Sequence, residues 1–192
     1  MRNQRNLTAP IRPAHDQFEQ CFDLLNAYAA TVLTERILAE VTDGGLTPAQ
    51  LDALTYIHRH GGCSAKALAE GLHISIPSST RLVDRLERKA LVDRRESSVD
   101  RRLVILTVTP EGEDALATIR AGRVARLQQA LETFTPADRE HFTALLERLV
   151  LAVLRDEQTV NDCCLHCGSE HENSCMANQA HLALVGRPIE RT

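Results

Sequence analysis

Aromatic side chains are scarce, at 3% of 192 residues, and tryptophan is absent. This composition excludes the rows of stacked rings that hold single-stranded nucleic acid. No apolar run reaches the roughly 18 residues a membrane-spanning helix needs, since the stretch from Leu145 to Leu154 is broken by Glu147 and Arg148. The opening Met-Arg-Asn-Gln-Arg-Asn lacks the apolar core of a secretory signal, so a cytoplasmic protein with no membrane partner is expected. Lysine is nearly missing: of 22 basic residues only Lys66 and Lys89 are not arginine. The 26 acidic residues leave a net charge of −4, so global charge points to no polyanion. What is present is ordinary for a globular chain, 43% hydrophobic and 25% charged. The length allows one or two domains with a sizeable core and excludes a disulfide-stapled miniprotein. Six cysteines, four of them between Cys163 and Cys175, point in a reducing compartment to metal or redox chemistry before structural disulfides.

Residues 1–14, with Pro10 and Pro13, read as a flexible arm. From Phe18, apolar residues at three- and four-residue spacing (Cys21, Phe22, Leu25, Tyr28, Val32) predict an amphipathic helix to about Val41, ended by Asp43-Gly44-Gly45. Thr47-Pro48-Ala49-Gln50 supplies an N-cap, a first-turn proline and a capping Gln for a second helix that buries Leu51, Leu54 and Ile57 until Gly61-Gly62. A short helix from Ser64 is expected to close at Gly71, and Ser75 opens another with Pro77 in its first turn. On that helix Ser79, Leu82, Val83 and Leu86 share an inner stripe, while Arg81, Arg85 and Arg88 share an outer one. Leu91-Val92 and Leu103 to Val108 are β-branched and apolar runs around a charged turn, which predicts a β-hairpin. Thr109-Pro110 and Thr135-Pro136 open two long helices.

Helix, turn, helix and charged hairpin in this order predict a winged helix-turn-helix, with its second helix entering the major groove and its hairpin reaching backbone or minor groove. Between Lys66 and Arg102 nine basic side chains face six acidic ones, a local +3 that leaves −7 elsewhere. A basic head on an acidic body concentrates phosphate attraction where docking is wanted. Over roughly residues 15 to 158 the chain resembles the MarR family of bacterial transcription regulators. The resemblance is carried by Leu82-Val83-Asp84-Arg85-Leu86-Glu87-Arg88-Lys89-Ala90-Leu91-Val92, Asp93-Arg94-Arg95, Asp100-Arg101-Arg102 and Val108-Thr109-Pro110-Glu111-Gly112. It departs from the family at Ala90, where a helix-ending Gly is usual, and at Val108, where Leu is usual.

The resemblance implies a mainly α fold with a small β-hairpin: a winged helix-turn-helix with N- and C-terminal dimerisation helices over 15–158 and the DNA-reading head at about 47–109. Beyond it, where the resemblance ends, lies a Cys/His-rich tail at 159–192. It implies that Asp100 and Arg102 organise the wing and that Arg101 reaches DNA from its tip. The DNA-binding candidates are Ser75, Ser78, Thr80, Arg81, Arg85, Arg88, Arg94, Arg95, Asp100, Arg101 and Arg102. Ser75 is as readily a plain N-cap, and Ser79 is expected to face the core. A family dimer meets a pseudopalindromic double-stranded operator with half-sites about one helical turn apart.

In the tail, Cys164, Cys167, His171 and Cys175 place three thiols and one imidazole within twelve residues, with Gly168 after the second, as a metal loop requires. Tetrahedral zinc takes Cys₃His sets and is the first expectation. An iron-sulfur cluster on Cys163, Cys164, Cys167 and Cys175 is the alternative, and free redox thiols or an inert tail are also open. His166 and His181 are expected at the surface. Cys21 resembles the reactive cysteine of the family's peroxide-sensing branch, with Tyr28 nearby but Leu25 where that branch has Tyr. Its place on the apolar stripe makes a buried, inert thiol the default, with a redox role as the alternative. Cys63 is expected to pack.

The leading functional expectation is a dimeric, sequence-specific DNA-binding regulator tuned by a metal or redox centre in its tail. A regulator answering a small aromatic or phenolic effector, with a purely structural tail, is the alternative. A thiol or zinc enzyme is remote, because catalytic zinc needs an open coordination position and a cleft that the tail does not suggest.

Overall fold

A computed structural model describes residues 14–96, 103–167 and 174–189. The chain opens with α1 (Ala14–Ala30), passes through one π-helical turn (Thr31–Glu35) and continues as α2 (Arg36–Val41). The predicted first helix is therefore continuous but locally widened by one extra residue. Arg123 fills the gap this leaves, donating to the Leu33 carbonyl at 3.0 Å and to Thr34 at 3.4 Å.

The helices of the head are α3 (Pro48–Arg59), α4 (Ala65–Gly71) and α5 (Ile76–Arg88). Thr47 and Gln50 form a capping box at the start of α3, and Ser64 and Ser75 cap α4 and α5 through the amides of Ala67 and Ser78. Strands β1 (Val92–Glu96) and β2 (Val104–Val108) pair antiparallel, Val92 opposite Val108 and Glu96 opposite Val104. Cys63 adds a bridge to Leu106, is buried, and has its thiol pushed up to about 11 by desolvation. Helix α6 (Pro110–Ala130) runs out of the head, ends in a 3₁₀ turn (Leu131–Thr133) and leads to α7 (Pro136–Val153). Leu38, Leu54, Ile57, Leu68, Val83, Leu86 and Leu106 form the centre of one core, reached from α6 by Ala115 and Ile119. The expected mainly α fold with a small hairpin, a winged helix-turn-helix, is the one that forms.

Four local expectations are corrected. Gly71 does not close α4: it is the last helical residue, and His73 takes the left-handed turn at φ 52°. Gly71 is small because a Cβ there would meet the Tyr56 ring at 2.0 Å. Cys21 is exposed rather than buried, because the apolar stripe of α1 meets no cover among the described residues. His181 is buried at 4% exposure rather than at the surface, since its ring bonds to the Arg187 carbonyl at 2.8 Å and to Glu157 at 3.3 Å. The described part of the tail is mostly helical where a loop was expected: α8 (Glu157–His166) spans the expected boundary at 158/159 and takes in Cys163 and Cys164, and α9 (Met176–Val185) follows Cys175. A small second core of Leu154, Val160 and Ala180 holds the two together.

The left-handed cap at Ala90 forms at φ 57° without the glycine usual there. Thr109 helps to hold it by donating to the Ala90 carbonyl at 2.6 Å while capping α6 through Gly112.

Candidate functional site

Helix α5 is amphipathic in the strict sense. Ser79, Val83 and Leu86 are completely buried, with Ser79 donating to the Ala65 carbonyl at 3.0 Å, so that one face is fixed to the core. At 100° per residue the opposite face must then carry Thr80, Arg81, Arg85 and Arg88, and all four are exposed. The structure thus places a row of three guanidinium groups on the outward side of the second helix of the pair.

The other candidates divide by what already engages them. Ser75 caps α5 and its hydroxyl lies 2.9 Å from that of Ser78, so both are used by the helix start. Thr80 donates back to the Ile76 carbonyl at 3.0 Å. Arg88 turns back to the Asp84 carbonyl at 3.2 Å. Arg94 on β1 reaches α5, pairing with Asp84 at 2.7 Å and with Glu87 at 3.1 Å, so it braces the hairpin against the helix. Arg95 pairs with Asp93 at 3.3 Å. Asp100, Arg101 and Arg102 lie outside the described residues. Arg81 and Arg85 are the side chains that most directly offer charge outward.

The tail cysteines meet the head at a residue that sequence reasoning missed. Arg59, the last residue of α3, donates to the Cys164 carbonyl, and its guanidinium lies 3.7 Å from the Cys164 sulfur and 3.4 Å from that of Cys167. Cys164 is buried and Cys167 exposed. A hydrogen bond with Cys167, then burial, push the Cys164 thiol well above the usual range, against the pull of Arg59. Cys175 lies within electrostatic reach of Cys164 and also caps α9 through the Asn178 amide at 3.4 Å. Cys163, one residue round the helix, is exposed. His171 lies outside the described residues, and among the described residues no group of three or more His, Cys, Asp or Glu side chains is placed to hold a metal ion.

Two more contacts extend this seam. His166 of α8 bonds Asp52 of α3 at 3.0 Å, and His73 faces Asp162 at 3.8 Å. Between them lies a cavity of about 330 Å³ with Leu72, Ile74 and Leu82 in its wall. Arg123 of α6 is half-buried, its pKa lowered by desolvation, with Asp52 and Cys167 pulling the other way. The seam thus touches the head through α3. A side chain 105 residues away in sequence leaves no local pattern, so only an unexplained arginine at the end of α3 could have signalled it.

A MarR-family model matches residues 44–103. The transcriptional repressor MdtR of Bacillus subtilis (strain 168) is 30% identical over 122 residues, 64% of this chain and 79% of that protein. The YusO protein of Bacillus subtilis superposes with a TM-score of 0.61 at 27% identity, covering 74% of this chain and 100% of the other. MepR of S. aureus, solved in complex with DNA, shares the fold at a TM-score of 0.59 and 20% identity, over 70% of this chain and 98% of that one.

Proposed function

This chain belongs to the MarR family of transcriptional regulators, and on that premise we propose that it works as a homodimer reading a pseudopalindromic double-stranded operator. The observation that carries the reading is the row of Arg81, Arg85 and Arg88 on the exposed side of a helix whose other side is locked into the core. Such a helix offers its charged face to a major groove without disturbing the fold, and the braced hairpin offers a second contact.

Dimerisation rests on the terminal helices. Phe18, Phe22 and Leu25 of α1 and Phe142, Leu145 and Leu149 of α7 are exposed, and α7 buries no residue in the single chain. Contiguous apolar faces of this kind mark an interface, and a two-fold axis between the interlocked ends sets two heads about one helical turn of DNA apart. Among the described residues no helix is long and apolar enough to cross a membrane.

The tail is the proposed control element. Its metal form is zinc held by Cys164, Cys167, His171 and Cys175, with the iron-sulfur set through Cys163 as the alternative; elemental analysis and an absorption spectrum of protein purified without oxygen test both. A second reading, control by a small aromatic or phenolic effector, is favoured by the cavity of about 330 Å³ between head and tail.

The test of the whole reading is the double variant Arg81→Ala/Arg85→Ala. Sequence-specific binding weakens by about 2 to 6 kcal/mol if each arginine makes a usual base or phosphate contact, while thermal unfolding shifts by under about 0.5 kcal/mol. DNA binding retained at full strength by a folded double variant overturns the assignment of α5.

A further inference from the structure

We propose that Ile76, at the leading end of α5, seats the 5-methyl group of a thymine in the major groove and so makes the base at that place in each half-site a thymine. The proposal rests on the reading of α5 above and adds a base preference to it. Ile76 is the first residue of α5, directly after the Ser75 cap, and is 55% exposed. Its apolar neighbours Leu72, Ile74 and Leu82 are partly covered and stand in the wall of the cavity beside α8. Ile76 belongs neither to that wall nor to the core of the head.

A lone exposed isoleucine needs no explanation on most surfaces. This one is set apart by its position and its company. In a helix-turn-helix the first residues of the second helix contact base edges, and the side chains around Ile76 at that end offer little to a hydrogen bond. Pro77 carries no N–H. Thr80, one turn on and on the same side as Ile76, donates its hydroxyl proton to the Ile76 carbonyl at 3.0 Å, which leaves it a methyl group and lone pairs for a partner. The Ser75 oxygen accepts from the Ser78 amide and lies 2.9 Å from the Ser78 hydroxyl, so the two serines serve the cap. Ile76, Pro77 and Thr80 are all exposed. Together they give α5 an apolar tip.

Behind the tip the same helix turns basic. Arg81 follows Pro77 by one turn and Arg85 follows Arg81, while the two acids of the helix, Asp84 and Glu87, are paired with Arg94 of the hairpin. The arginines suit phosphates and guanine edges, and the tip suits the one apolar group that the major groove displays. Thymine alone shows a methyl group there, whereas adenine, guanine and cytosine show only donors and acceptors. Any of those three set against the tip gives up its water without gaining a partner, which weakens binding. A thymine instead buries its methyl group against the carbon of Ile76, Pro77 and Thr80. The preference therefore combines one attraction with three penalties.

In the experiment the full chain selects duplexes from a random pool, and the selected duplex is remade with deoxyuridine at each thymine in turn, which removes the methyl group and nothing else. At one thymine per half-site this change lowers affinity about fourfold, as burial of a single methyl group gives, and about fifteenfold when both half-sites carry uracil. Ile76→Ala binds the thymine and uracil duplexes alike, and its own selection no longer returns a thymine at that place. Ile76→Val keeps part of the discrimination, and both variants melt with the wild type because Ile76 lies outside the core. Binding indifferent to uracil at every thymine, or discrimination retained in full by Ile76→Ala, overturns the proposal. The Arg81→Ala/Arg85→Ala variant shows which claim has failed. Where it weakens binding and uracil does not, the tip is idle and α5 still reads; where the folded variant binds as the wild type, the reading of α5 fails and the tip with it. A pool from which the chain draws no common sequence overturns both.

Discussion

The head and the tail begin their helices with different chemistry. In the head, α3, α4, α5 and α6 start on Thr47, Ser64, Ser75 and Thr109, whose hydroxyl oxygens accept from the amides three residues on. In the tail, α8 starts on the carboxylate of Asp156 and α9 on the thiol of Cys175. A hydroxyl neither titrates in acid nor oxidises under mild conditions, whereas a carboxylate does the first and a thiol the second. The cores differ in the same sense: the head encloses a broad cluster from Ile37 to Ile119, and the tail closes over Leu154, Val160 and Ala180. The reading helices are therefore capped by groups indifferent to acid and mild oxidants, and the sensitive caps sit in a thinly packed unit.

The strongest way to break this contrast is to cut both cores alike. Leu54→Ala empties a fully buried site in the head and costs about 2 to 5 kcal/mol in the main unfolding transition. Val160→Ala, equally buried in the tail, removes two methyl groups, about 1 to 3 kcal/mol with its cavity. That loss appears as faster exchange in α8 and α9 with the main thermal transition in place. If Val160→Ala lowers the main transition as much as Leu54→Ala, the two regions are one cooperative unit and the contrast fails.

Next in size is Gly71→Ala, which sharpens the account of the head. A methyl group there meets the Tyr56 ring, itself stacked on His60 at 4.0 Å between centroids, so the ring has little room to withdraw. Overpacking of this kind costs about 1 to 3 kcal/mol. Denaturant unfolding should show that loss, and Tyr56→Leu in the same chain should recover part of it. A neutral Gly71→Ala would return the residue to the role of a helix stop.

These comparisons also explain what was legible in the sequence. Thr47 with Gln50, Ser79 on the inner stripe and the Gly61-Gly62 stop were readable because each is a local rule, decided within one or two turns of helix. The row of Arg81, Arg85 and Arg88 followed from the same periodicity. Gly71 was misread because its smallness answers to Tyr56, which packs across from another helix, and the left-handed residue is instead His73. The exposure of Cys21 was missed because an apolar stripe says that something covers it, not that the same chain does. In the tail the cysteine spacing drew all the attention, yet Cys175 also caps a helix and Cys164 answers to Arg59, a partner no spacing rule within the tail can show.

The smallest effect separates the two kinds of cap directly. The Asp156 carboxylate accepts from the Thr159 amide at 2.8 Å and from its hydroxyl at 2.7 Å, and these bonds hold it below the ordinary aspartate value of 3.8. A carboxyl whose folded value is depressed stabilises the fold above its unfolded value, and that support is lost as pH falls through the folded one. The start of α8 should therefore loosen in acid below about pH 3.8, read as a shift of the Thr159 amide resonance, while the amides of Gln50, Ala67 and Ser78 behind their hydroxyl caps hold their positions over the same steps. Asp156→Asn keeps an oxygen acceptor without the charge, so its Thr159 resonance should lack this titration. Should the two proteins titrate alike at Thr159, or the hydroxyl-capped amides move first, the acid sensitivity lies elsewhere and the caps do not divide the molecule.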